Sequence, residues 1–153
     1  MKKVLKGFTL IELLVVIGIL AILLAITLIA INPARQFGQA NNTNRRSSIL
    51  QILNAIHQYN AENANLPPSV SAIAVTTPIL FNSTGSLGTL CGEIMATYLP
   101  ALPVDPGITG AENITDCATA NWDTGYTVER DEAGRITVSA PDAELNVTIE
   151  VTR

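Results

Sequence analysis

From Leu13 to Ile31 the chain places no charged residue, and its run of Leu, Ile, Val and Ala is broken only by Gly18 and Thr27. As a helix, the stretch from Phe8 to Ile31 spans about 36 Å, enough to cross a hydrocarbon core of about 30 Å. It is apolar on every face, whereas a surface helix of a soluble domain keeps a polar side. After Asn32-Pro33 the pattern changes: Ala34 to Ser48 is polar and reads as solvated or groove-facing. Ile49, Leu50, Ile52, Leu53, Ile56 and Tyr59 then recur at helical spacing, with Gln51, Asn54 and Gln58 between them. The pattern predicts one long helix from Phe8 to about Glu62. Pro33 bends it near the membrane surface, and Gly18 is a second weak point. Asn63 to Pro68 ends it.

Beyond that helix the periodicity shortens. Val70 to Gly88 is rich in Ser, Thr, Pro and Gly and reads as irregular loop. Leu87, Leu90, Ile94 and Tyr98 share one face of a short helix, about Leu87 to Leu99, which Pro100 stops. Gly107 to Asp123 is a second loop. Tyr126 and Val128 alternate with polar residues, Asp131 to Gly134 supplies a turn, and Ile136 and Val138 resume the alternation. Leu145, Val147, Ile149 and Val151 alternate strictly with Asn146, Thr148, Glu150 and Thr152, which predicts a further strand. The apolar side of such a sheet needs a cover, and the amphipathic half of the long helix is the large one at hand. The expected fold is α+β: a long N-terminal helix packed on a small C-terminal antiparallel sheet.

Charge sharpens the picture. The net charge of −4 includes Lys2, Lys3 and Lys6, the only lysines, all ahead of the apolar run. Without them the balance is 6 basic against 13 acidic residues. That surface argues against capture of nucleic acid, which needs cations on phosphates. Lysines ahead of the apolar segment leave the start in the cytoplasm and send the remainder outward. A secretory signal fits poorly, because the core is too long, Glu12 falls inside it and no small-x-small site follows. An uncleaved signal anchor explains the topology but not the Gly7-Phe8 junction.

Glu12 is the costly residue. An ionised side chain in hydrocarbon costs about 2.5 to 3.5 kcal/mol on insertion scales, so it needs a partner or a place near the headgroups. A new amino terminus made by cutting between Gly7 and Phe8 supplies a cation. The run from Lys6 to Ile17, KGFTLIELLVVI, resembles the class III signal of bacterial type IV pilins and of type II secretion pseudopilins. That resemblance implies cleavage after Gly7 by a prepilin peptidase, methylation of Phe8, and pairing of Glu12 with the terminal amine of a neighbouring subunit in a growing filament. It implies a cleaved leader over 1–7, a transmembrane and filament-core helix over 8–33, and an extracytoplasmic head over 34–153. The head divides into an amphipathic helix over 34–62, a loop region over 63–125 and the sheet over 126–153. Tyr98 to Pro106, YLPALPVDP, resembles the segment before the sheet in major pseudopilins and small pilins.

Cys91 and Cys117, an even pair in an exported domain, read most simply as a disulfide. No catalytic constellation is legible. His57 is alone and reads as a surface or helix–sheet boundary residue. Asp105, Asp116 and Asp123 flank a loop like the one that binds calcium in major pseudopilins, but they lack a recognisable ligand spacing, so neither a metal nor another cofactor is expected. Asn41, Asn82, Asn113 and Asn146 begin N-x-S/T triplets, which chance supplies in an Asn- and Thr-rich chain. The function expected is therefore structural, not enzymatic. It is that of a pilus subunit polymerising with copies of itself through the inner-membrane assembly machinery, first as a single-pass membrane protein and then as an extracellular filament. The alternatives are a pseudopilin of a secretion or competence system, or an anchored binding module that never polymerises.

Overall fold

The computed structural model describes residues 7–95, 97–110 and 112–153. They fall into two compact units, the first ending at Phe37 and the second running Gly38–Arg153. Lys2, Lys3 and Lys6, in the leader expected over 1–7, lie outside the described residues.

In the first unit, α1 (Leu10–Ile31) is a 22-residue helix with no buried residue, long and apolar enough to cross a membrane. It starts at Thr9, whose extended backbone and side chain cap the first turn. It ends at Asn32, which takes the left-handed conformation with φ 46°. Asn tolerates that region better than most residues, because its short amide bonds locally. Pro33 follows as the first residue of α2 (Pro33–Asn63), a position where its missing N–H costs nothing. Arg35 donates its backbone N–H toward the Asn32 carbonyl at 3.1 Å. Asn32 thus closes one helix and opens the next. The helical path expected from Phe8 to Glu62 is present from Leu10 to Asn63, and the expected bend is this one left-handed residue.

In the second unit, α2 buries Gly38, Asn42, Arg45, Ser48, Ile49, Ile52, Leu53, Ala55 and Ile56. Their spacing of three and four residues makes one continuous stripe. Its lower half is polar and its upper half apolar. The apolar half joins the same core as Phe81, Leu87, Leu90, Ile94, Leu102, Tyr126, Val128, Ile136 and Val138. These come from a four-stranded antiparallel sheet, a short helix and the loops beside them. The strands β1 (Ile79–Asn82), β2 (Asp123–Arg130), β3 (Ile136–Ser139) and β4 (Glu150–Thr152) pair in chain order. Ile79, Val128, Val138 and Val151 stand in register across the sheet, a row of β-branched residues that suits cross-strand packing. Two short helices, α3 (Pro68–Ala72) and α4 (Leu90–Ile94), lie in the long connection between α2 and β2.

Three sequence expectations change. First, β1 and the end of α3 lie inside the stretch read as irregular loop, because each is only four or five residues long and the neighbouring Ser and Thr mask them. Second, the helix expected over Leu87 to Leu99 is five residues long. Met95 turns extended and bridges Leu99, so the helix ends before Pro100 is reached. Third, the strand expected from Leu145 shrinks to Glu150–Thr152, extended by a ladder bond from the Ala140 N–H to the Ile149 carbonyl at 2.9 Å and by a pair exchanged between Ile136 and Arg153 at 2.6 and 2.9 Å. Leu145 and Asn146 are both left-handed, with φ of 62° and 54°. Glu144, bonded to α2, rotates the chain out of the ladder.

Candidate functional site

Gly7 and Phe8 are both exposed. Phe8 is 86% exposed, and a Cβ added at Gly7 would meet nothing within 4 Å. Glu12 lies one turn further on. Its Oε2 accepts the Thr9 backbone N–H at 3.0 Å and the Thr9 hydroxyl at 2.8 Å, while Thr9 Oγ1 accepts the Glu12 N–H at 3.3 Å. This reciprocal box satisfies two donors of the helix N-terminus and sets the carboxylate against the positive end of the helix dipole. Both partners lie after the Gly7-Phe8 junction, so a cut there leaves the box complete. Phe8, Ile11, Glu12, Leu13, Val15 and Val16 line an open, almost wholly apolar groove. The charge of Glu12 is the polar feature of an otherwise greasy surface.

The second unit holds a polar cluster that the sequence reading passed over. Arg45 donates Nε to Asp105 Oδ2 at 2.7 Å and Nη2 to Asp105 Oδ1 at 2.9 Å, a two-pronged pair with both side chains buried. Its Nη1 donates to Asn42 Oδ1 at 3.0 Å and to Glu144 Oε1 at 3.1 Å. Hydrogen bonding to Asp105 raises the Arg45 pKa further, so the guanidinium stays charged. Asn41 and then Arg45 hold the Glu144 carboxyl below its ordinary 4.5. Asp105 also accepts the Gly107 N–H at 2.7 Å. The cluster therefore ties α2, the loop before β2 and the turn before β4 into one body. Gly125, at φ 73°, is required beside it, since a Cβ would come within 2.8 Å of Asp105 Cβ.

Both carboxylate oxygens of Asp105 are thus engaged within the protein. Among the described residues no three His, Cys, Asp or Glu side chains gather as a metal would need. Cys91 and Cys117 form the expected disulfide, with their Cα atoms 5.7 Å apart. Met95 Sδ lies 3.3 Å from both sulfurs and covers the bridge. His57 is half-buried on α2, with Nε2 inside and unpartnered. A pairing of Arg45 with Asp105 across 60 residues leaves no local sequence pattern, which is why the Arg45 cluster was missed. The one available signal was an Arg falling on the helix stripe that runs into Ile49, Ile52 and Ile56.

No curated protein and no solved structure matches the chain. Residues 3–28 match the prokaryotic N-terminal methylation motif, so the chain opens with the class III prepilin signal of type IV pilins and pseudopilins.

Proposed function

We propose that this protein is the structural subunit of a type IV pilus. It is inserted by α1, cut between Gly7 and Phe8, methylated on Phe8 and polymerised. The observation that carries the reading is the methylation motif over residues 3–28, joined to a helix without one buried side chain. Such a helix stays apolar in two settings: lipid solvates it before assembly, and neighbouring helices cover it afterwards. Glu12 sets the register. A carboxylate buried among apolar helices is tolerable opposite a neighbour's terminal amine, so a misaligned subunit strands a charge. In the free chain the Thr9 bonds hold that carboxylate until the amine arrives.

The second reading is a pseudopilin, favoured by the Leu102-Pro103-Val104-Asp105-Pro106 segment ahead of the sheet. Deletion of the chain separates the two. A pilus subunit takes surface filaments away and leaves protein secretion intact, whereas a pseudopilin leaves filaments and abolishes secretion. Loss of neither contradicts both and points to an anchored domain that never polymerises.

A further inference from the structure

Three sulfur atoms meet at one point of the Gly38–Arg153 unit. Met95 Sδ lies 3.3 Å from Cys91 Sγ and 3.3 Å from Cys117 Sγ, so it rests on the flank of the bond between them. Soft, polarizable sulfur suits such a contact, and a flexible thioether fills an irregular gap. The backbone fixes the approach. Met95 is the extended residue that ends α4, with its N–H bonded to the Cys91 carbonyl at 2.9 Å and a bridge to Leu99. The thioether is thereby held on the disulfide.

Burial on the two sides of the bridge is unequal. Cys91 is fully buried, whereas Cys117 and Met95 are half-buried. A thiolate breaks a disulfide by attacking one sulfur and expelling the other, so access decides which sulfur it takes. The buried Cys91 is placed to be the leaving group, and Cys117 is the sulfur open to attack. The same half-burial leaves the Met95 thioether within reach of a small oxidant. Met95 is also the only methionine beyond Met1.

Oxidation would undo the contact. Hydrogen peroxide transfers one oxygen to a thioether and leaves as water, turning an apolar side chain into a polar sulfoxide. That oxygen needs a hydrogen-bond donor, and burying it without one is costly. Ile94 and Leu99, the buried neighbours along and across the chain, offer no side-chain donor, and neither do the two bridge sulfurs. The sulfoxide therefore turns out to water and leaves the bridge uncovered.

We propose that Met95 is an oxidation site that guards the Cys91–Cys117 disulfide: hydrogen peroxide converts its thioether to the sulfoxide, and the uncovered bridge then exchanges with a small thiol. The incoming thiolate bonds to Cys117 Sγ, the bond between the two cysteine sulfurs breaks, and Cys91 leaves as a thiolate. A second thiol group displaces Cys117 in the same way, so both cysteines end reduced and the small thiol ends as a disulfide. The loop between Cys91 and Cys117 is thus released by an oxidant first and a reductant second.

The test uses the full chain in detergent micelles, treated with hydrogen peroxide, desalted and then exposed to dithiothreitol. Mass spectrometry of the Met95 peptide reads the added oxygen, with free methionine in the same solution as the reference. Alkylation of the released thiols at intervals gives the rate at which the bridge opens. In the treated wild type, Met95 is expected to gain one oxygen and the bridge to open roughly tenfold faster than in the untreated chain. Met95→Leu, apolar and of similar size but without the sulfur, is expected to open at the untreated wild-type rate with or without peroxide. Trp122 emission, recorded before the thiol is added, is expected to stay that of the folded chain in every sample. An unoxidised Met95 beside oxidised free methionine overturns the proposal, and so does an oxidised Met95 with an unchanged rate. Equal acceleration in Met95→Leu assigns the effect to another residue and overturns it too. Unfolded-chain emission after peroxide alone means that oxidation unfolds the unit rather than uncovering the bridge, which likewise overturns the proposal.

Discussion

Arg45 and Asp105 lie 60 residues apart in the chain and meet in the core through two hydrogen bonds of 2.7 and 2.9 Å. Both side chains are almost wholly buried. Removing one partner strands the other charge, which costs about 3 to 5 kcal/mol. Arg45→Met alone is therefore expected to lower the midpoint of urea unfolding sharply, followed through Trp122 fluorescence. Arg45→Met combined with Asp105→Leu is expected to recover much of the loss. A single variant as stable as the wild type contradicts the role given to the pair.

The disulfide closes a loop with a sequence separation of 26 residues. In the chain-entropy model such a loop is worth about 3 kcal/mol. Cys91→Ala with Cys117→Ala is expected to lower the thermal midpoint by several degrees while leaving the far-ultraviolet spectrum unchanged. Melting curves of the oxidised chain and of the double variant check it.

Acid should loosen the same body. Hydrogen bonds from Asn41 and Arg45 hold the Glu144 carboxyl below its ordinary 4.5, and Arg135 holds Asp131 below 3.8. A depressed folded-state pKa gives stability that is present above the unfolded value and lost as pH falls toward the folded one. Stability is therefore expected to be flat near neutrality and to fall from about pH 5 downward. Glu144→Gln should flatten that fall; an unchanged slope in urea titrations contradicts the assignment.

Glu12→Ala separates processing from polymerisation. If processing cuts at the open Gly7-Phe8 junction, as proposed, the variant is expected to be cut normally, whereas filament yield drops. Gly7 replaced by a bulky residue is expected to block processing, seen as a precursor of lower mobility on a gel. Filaments at wild-type yield from Glu12→Ala contradict the register role.

The large features were legible because period and composition report them directly. α1 announced itself as an uncharged run, the upper half of α2 as Ile49, Ile52, Leu53 and Ile56, and β2 and β3 as alternation around the Asp131–Gly134 turn. The features that escaped depend on pairings distant in sequence. The polar stripe Gly38, Asn42, Arg45 and Ser48 looks solvated until Asp105 and Glu144 arrive to bond it. Leu145 to Thr148 alternates as a strand should, but four hydrogen bonds at Glu144 outweigh the weaker preference for the ladder. The Thr9–Glu12 box was written in the sequence as T-x-x-E, the capping signature, and was overshadowed by the question of what the carboxylate pairs with between subunits.

The central claim is that Phe8 becomes the first residue of an assembled protein. Mass spectrometry of the N-terminal peptide, on filaments sheared from cells and on the remaining pellet, tests it most directly. The account predicts a peptide beginning at methylated Phe8, abundant in the sheared fraction. Confinement of that peptide to the pellet supports the pseudopilin instead, and an intact Met1 leader in every fraction contradicts the account.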